Sequence, residues 1–204
     1  MADGQFGKNV DISAFVNNFG AAGARPSLYK VEITAPEKLE GVTKEGFQKV
    51  SFLCKNAQLP GSTIGEIPVN FLGRQVKMPG IRTYENLTLS FYNDEDFGIR
   101  HEIETWMHQI QSFGKPFGNI VNLADSSGGQ SSTTIKVIQL SKAGEDLRAY
   151  DFYYAFPTTC SAIDLGFDQA EAIEEFSVTF AYSYFDVSGG DGAGANSKGI
   201  KDVS

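Results

Sequence analysis

Residues 175–185 read EFSVTFAYSYF, and their alternation decides the fold class. Phe176, Val178, Phe180, Tyr182 and Tyr184 fall on one side, with Glu175, Ser177, Thr179, Ala181 and Ser183 on the other. Successive strand side chains point to opposite faces, so period two over this length predicts a strand with one buried face. Outward from it, the pattern recurs. Arg148–Phe156 places Tyr150, Phe152, Tyr154 and Phe156 on one face. Leu87, Leu89 and Phe91 alternate with Thr88, Ser90 and Tyr92, and Tyr29, Val31 and Ile33 alternate with polar neighbours. Val50, Phe52 and Cys54 repeat the spacing, and Ile67–Met78 reads as one or two strands broken near Gly73. Thr133–Leu140 is apolar on both faces, through Ile135 and Val137 on one and Ile138 and Leu140 on the other. Such a strand is buried on both sides or covered by a partner.

One helix is expected near residues 95–112. Asp94, Glu95 and Asp96 place negative charge at its start, where the unpaired N–H groups favour it. Phe97, Ile103, Trp106, Met107 and Ile110 follow at helical spacing, and Gly114 with Pro116 supplies the stop. The expected fold is therefore all-β with one flanking α-helix. Residues 1–24 read as an N-terminal arm, 25–186 as the β-domain and 187–204 as a flexible Gly-rich tail. Lys38–Lys49 and Gly118–Ser132 read as long loops.

The chain has 204 residues and a net charge of −8, and the placement of that charge is uneven. Ala149–Ser197 contains no Lys or Arg but eight acids, which leaves 17 acids against 17 bases elsewhere. No basic footprint for gripping nucleic acid is present. No apolar run approaches the ~20 residues of a membrane-spanning helix, and residues 1–10 lack the apolar block of a secretory signal. The expectation is therefore cytoplasmic folding, with Cys54 and Cys160 as reduced thiols and the Asn86-Leu87-Thr88 sequon without consequence.

Catalytic chemistry finds little support. His101 and His108 lie two helical turns apart, a rise of ~10.5 Å that one ion with ligands at ~2 Å does not bridge. There is no G-x-S-x-G, no thiol-enzyme signature around Cys160, and no calcium loop around Asp164 and Asp168. Asp164, Asp168, Glu171, Glu174 and Glu175 could supply a carboxylate pair for glycoside chemistry, although acidic runs are more often solvated faces. The expectation is no catalytic residue, no metal and no cofactor.

Five blocks, in order along the chain, carry a resemblance to a known family. They are ARPSLYKVEI at 24–33; FLCKNAQLP at 52–60 with Ile67-Pro68-Val69; and Gly73–Val76 through PGIRTY at 79–84, with Leu87-Thr88 and Tyr92–Glu95. The helix around Trp106 is the fourth, and Phe156-Pro157-Thr158 with IEEFSVTF at 173–180 the fifth. Together they resemble the tail tube protein family of contractile-tailed bacteriophages, and the resemblance implies a β-sandwich or small barrel whose hexameric rings stack into the inner tube of a virion tail, assembled in the host cytoplasm. Its implied partners are further copies of itself, the sheath, the baseplate and tail terminator, and the tape measure protein and double-stranded DNA in the lumen. An acidic lumen would repel phosphates, which makes Asp164, Asp168, Glu171, Glu174 and Glu175 candidate channel-lining residues. Two alternatives stand beside it: the tube of a phage-derived injection or type VI secretion machine, and a monomeric β-barrel enclosing a small ligand with its Phe and Tyr faces.

Overall fold

A computed structural model describes residues 23–34, 46–111, 133–166 and 173–189, and Ile12 besides. Its strands are β1 (Tyr29–Thr34), β2 (Cys54–Gln58), β3 (Ser62–Phe71), β4 (Arg74–Tyr84), β5 (Leu87–Tyr92), β6 (Thr134–Leu140), β7 (Asp146–Tyr153), β8 (Phe156–Cys160), β9 (Glu175–Ala181) and β10 (Tyr184–Gly189). The helices are α1 (Val50–Leu53), entered through a 3-10 turn at Gly46–Lys49, and α2 (Gly98–Ile110). One sheet has the order β1-β6-β7-β10, a second β2-β5-β9-β8, and β3-β4 form a separate hairpin. All pairings are antiparallel.

The core forms where the predicted alternation brings apolar faces into register. Phe91, Leu89 and Leu87 of β5 lie opposite Phe176, Val178 and Phe180 of β9. All six are essentially inaccessible to water. In the other sheet Val31 faces Val137, and Ile33, Ile135 and Phe152 form one row across three strands. Each such side chain contributes roughly 1.5–3 kcal/mol when removed from water. The aromatic faces close on one another, with Phe91 and Phe176 centroids 5.6 Å apart and Phe152 and Tyr182 4.9 Å apart. β6 is buried at Ile135, Val137 and Ile138, so both of its faces are covered in part.

Two stretches read as single strands are bent pairs. After β7 the chain turns at Tyr154, whose φ of 57° is left-handed, and continues as β8 in the other sheet. After β9 it turns at Tyr182-Ser183 and continues as β10 in the first sheet. The two bends lie side by side, joined by Ser183 N–H donating to the Tyr153 carbonyl at 3.1 Å and by stacked Tyr153 and Tyr184 rings 5.0 Å apart. Alternation restarts beyond each bend. Tyr154 and Tyr184, assigned to buried faces by the sequence, are therefore 38% and 44% exposed, while Phe185 turns toward the core.

Val50–Leu53 is also not a strand. In a helical turn, residues two apart point in nearly opposite directions, so Val50 is buried and Phe52 is 88% exposed. The long helix begins four residues later than Asp94, at Gly98, because Phe97 adopts φ 53° and stays half-exposed. Ile99 takes the place expected of Phe97, beside Ile103 and Trp106 on the buried face. Asp94 and Asp96 precede the helix and hold Lys49 Nζ at 2.6 and 3.1 Å, and that hydrogen bond keeps the Asp94 carboxyl below its ordinary range. β10 runs to Gly189 with Val187 buried, three residues into the segment read as the tail. Apart from Ile12, the arm before Gly23, loop residues 35–45 and 112–132, and residues 190–204 lie outside the described residues.

Candidate functional site

The acidic segment comes together only in part. Asp164 is exposed beyond β8, Glu174 is half-buried just before β9, and Glu175 opens β9. All three border a polar groove of about 370 Å³ together with Ile163 and Ile173. Asp168 and Glu171 lie outside the described residues. Two of the three carboxylates are engaged. Glu174 accepts from Asn93 Nδ2 at 2.8 Å, and its carbonyl accepts the Asn93 N–H, also at 2.8 Å. Glu175 takes Lys55 Nζ on both oxygens at 2.6 Å, with the ammonium 5.5 Å from the Tyr92 ring centroid. Hydrogen bonding to Glu175 is the main cause of the raised Lys55 pKa. Asp164 is thus the least engaged of the three.

The sequence pattern did not reveal a second acidic row. Glu32, Lys136, Asp151 and Asp186 are register partners across β1, β6, β7 and β10. They share the face of the first sheet opposite Val31, Ile33, Val137 and Phe152. Lys136 lies 3.3 Å from Asp151, which leaves one further acid on each side of that pair. Like charges opposite one another on paired strands repel, so the Asp151–Asp186 pairing depends on Lys136 and on Ser188 Oγ, which donates to Asp151 at 3.4 Å.

His101, Glu104 and His108 sit on the exposed side of α2. Among the described residues no three His, Cys, Asp or Glu side chains gather closely enough to hold an ion. No helix among them is long and apolar enough to cross a membrane. Cys54 and Cys160 are free, half-buried thiols, and burial pushes Cys54 up to about 11. At pH 8 Cys54 should therefore react with iodoacetamide at least about tenfold more slowly than an unhindered thiol, its scarce thiolate being only partly offset by greater nucleophilicity. Peptide mass spectrometry over a time course measures this, and alkylation at the rate of a free thiol would show that burial does not govern it.

The feature that stands out is the hairpin. Among the described residues β3 and β4 pair only with each other, and they run from Ser62 to Tyr84. The turn is Leu72-Gly73, both with positive φ, at 46° and 77°. This is the two-residue turn that matches strand twist, and it places the break near Gly73 as the sequence indicated. Register puts Ile67 opposite Met78 and Val69 opposite Val76, with Phe71 on the same face. The other face carries Pro68, Asn70, Gln75 and the Glu66–Lys77 ion pair at 2.6 Å. The hairpin is thus amphipathic, yet none of its apolar face is buried: Ile67, Val69, Phe71, Val76 and Met78 are 41–66% exposed. At its foot Glu85 N–H donates to the Gly61 carbonyl at 3.2 Å, and the Glu85 carboxylate accepts the Gly61 N–H at 3.3 Å.

Known proteins match this architecture along most of the chain. The family model of the phage tail tube protein matches residues 24–188. The tail tube protein gp19 of Enterobacteria phage T4 is 27% identical over 167 residues, 80% of this chain and 91% of that protein. The tail tube protein of Serratia phage KSP90 is 23% identical, covering 83% of this chain and 94% of its own length. Among solved structures, a chain of the sheath-tube complex of an extracellular contractile injection system superposes with a TM-score of 0.54 at 15% identity, covering 81% of this chain and 91% of that one. With a family match that spans nearly every described strand, this chain belongs to the phage tail tube protein family.

Proposed function

We propose that this chain is the repeating subunit of the inner tube of a contractile phage tail. Six copies close into a ring, and rings stack into a channel through which the tape measure protein and then double-stranded DNA pass. The exposed apolar face of the β3–β4 hairpin carries this reading. A lone two-stranded hairpin is marginal in water, and an open strand edge with an apolar face invites another chain. A subunit meant to remain single would not keep such a surface; one meant to polymerise needs it. Repeated head-to-tail contacts then close or propagate according to their rotation.

The part played is mechanical and not catalytic. The sheath surrounds the tube, with a baseplate at one end and a terminator at the other. This fits fold relatives found in a sheath-tube complex, a baseplate and a sheath/tube terminator. Assembly takes place in the host cytoplasm and the product resides in the virion tail. Similarity by sequence to two phage tail tube proteins favours a phage over a related injection particle, for which the likeness is one of fold alone.

In the assembled tube we place Asp164, Asp168, Glu171, Glu174 and Glu175 on the channel wall, where negative charge lets a polyanion slide. We also place the arm at 1–24 and the C-terminal tail at contacts between subunits. Negative-stain microscopy of purified protein across a concentration series should show hollow tubes or six-fold rings. In the same tubes, gold attached to a cysteine placed at Asp164 should lie on the axis. A strict monomer at every concentration would count against the tube, and gold on the outer surface against the acidic lining.

A further inference from the structure

Leu72 occupies an unusual place. It forms the apex of the hairpin, 88% exposed, in a left-handed conformation with φ 46°. Asn and Gly suit the first position of this turn, whereas a leucine is strained there and gains nothing from water. Such strain points to a use.

A matching hollow lies at the other end of the hairpin. Pro26, Tyr29, Ala57, Leu59, Val137 and Tyr150 line the mouth between the two sheets, a pocket of about 200 Å³ with Gln139 at its edge. A cavity of roughly 150 Å³ lined by apolar groups holds a benzene ring, so this one accommodates a leucine side chain. Its lining carries no charged side chain. The groove beside Leu28 and Leu140 is bordered by Arg25 and Lys142, and the one beyond β8 by acids, and burying an apolar knob there would strip water from charges. The knob cannot reach the hollow of its own chain. Ten residues of β3 carry the apex roughly 30 Å from the foot, where Leu59 lies.

Charge on the two ends is complementary. Arg74 begins β4 beside the apex, opposite Phe71, and has no carboxylate partner among the described residues. Glu85 stands at the foot, its carboxylate against the Gly61 N–H two residues from Leu59, and has no cationic partner among them.

We propose that Leu72 of one copy inserts between the sheets of a second copy, with Arg74 meeting Glu85 of that copy. This rests on the tube reading and names the contact that propagates it. Each copy offers a knob at the apex and a hole at the foot, so the contact is heterologous and repeats along the hairpin direction.

The test measures the concentration at which tubes form, by pelleting and microscopy, for the full chain. Leu72→Asn relieves the turn, so the subunit should melt no lower than wild type, yet tubes should require about tenfold more protein or fail to form. R74E and E85R should each impair assembly, and the double variant should restore it toward wild type. Leu72→Asn assembling at the wild-type concentration, or a double variant no better than either single one, would overturn the docking. A wild-type chain that never assembles would instead remove the tube reading on which it rests.

Discussion

Replacing Ile67, Val69, Phe71, Val76 and Met78 together by threonine should leave the subunit folded and abolish tubes. The two halves of this expectation have separate physical origins. Folding is untouched because the five side chains contribute nothing to the core: they are 41–66% exposed and lie on a hairpin that pairs only with itself. Threonine keeps the β-branched preference for extended backbone, so the strands persist. Assembly is lost because these residues form one continuous apolar face. Burying the exposed half of each contributes about 1 kcal/mol, so the set is on the order of 5 kcal/mol, or more than a thousandfold in an association constant. The opposite face supplies the control. Changing Asn70 and Gln75 to threonine should matter far less, since that face is already polar and carries the Glu66–Lys77 pair. Circular dichroism reports the fold and sedimentation the assembly. Tubes from the five-fold variant at wild-type concentration would show that the hairpin is not the contact, and equal loss from both faces would show that the hairpin is gripped on two sides.

This hairpin also marks where sequence reading succeeds and where it fails. Period two predicted strands at β1, β5 and β9 because each has one face on the core, and burial enforces the pattern; β6 was read from apolar residues on both faces. It also predicted strands through Ile67–Met78, but it could not say that this apolar face lacks a partner within the chain. Alternation reports that a face is to be buried, not by whom. The same blindness explains the bends. Tyr150 to Phe156 and Phe176 to Tyr184 look continuous because aromatic residues occur on both sides of a sheet switch. Only the left-handed φ at Tyr154 and the bonding of Ser183 to Tyr153 reveal the corner. The short helix at Val50–Leu53 was hidden for another reason, since four residues are too few for a 3.6-residue period to separate from a two-residue one. Among the candidate site residues, the run of acids was plain in the sequence, but their partners were not. Lys55 reaches Glu175 from 120 residues away, and the cross-strand row of Glu32, Lys136, Asp151 and Asp186 depends on register alone.

Trp106→Ala should be the most destabilising single substitution within the subunit, costing about 3–5 kcal/mol. Trp106 is fully buried on α2 and joins elements far apart in sequence. Its ring lies 6.3 Å from Phe47 of the 3-10 turn and 6.2 Å from Phe180 of β9, so its loss opens a cavity where helix, turn and sheet meet. At about 2–4 °C per kcal/mol for a domain of this size, the thermal midpoint should fall by about 10 °C. Trp106→Phe separates packing from polarity. The indole N–H is buried with no acceptor among the described residues, and a buried unpaired donor costs about 1–3 kcal/mol. Phenylalanine removes that donor while keeping most of the ring, so relief of the orphaned N–H offsets much of the lost volume. The expected order is therefore wild type close to Trp106→Phe and far above Trp106→Ala, read from urea unfolding with the slope held constant. If Trp106→Phe is as damaging as Trp106→Ala, the N–H has an acceptor in solution, and the junction of α2 with the sheet is held by a hydrogen bond as well as by packing.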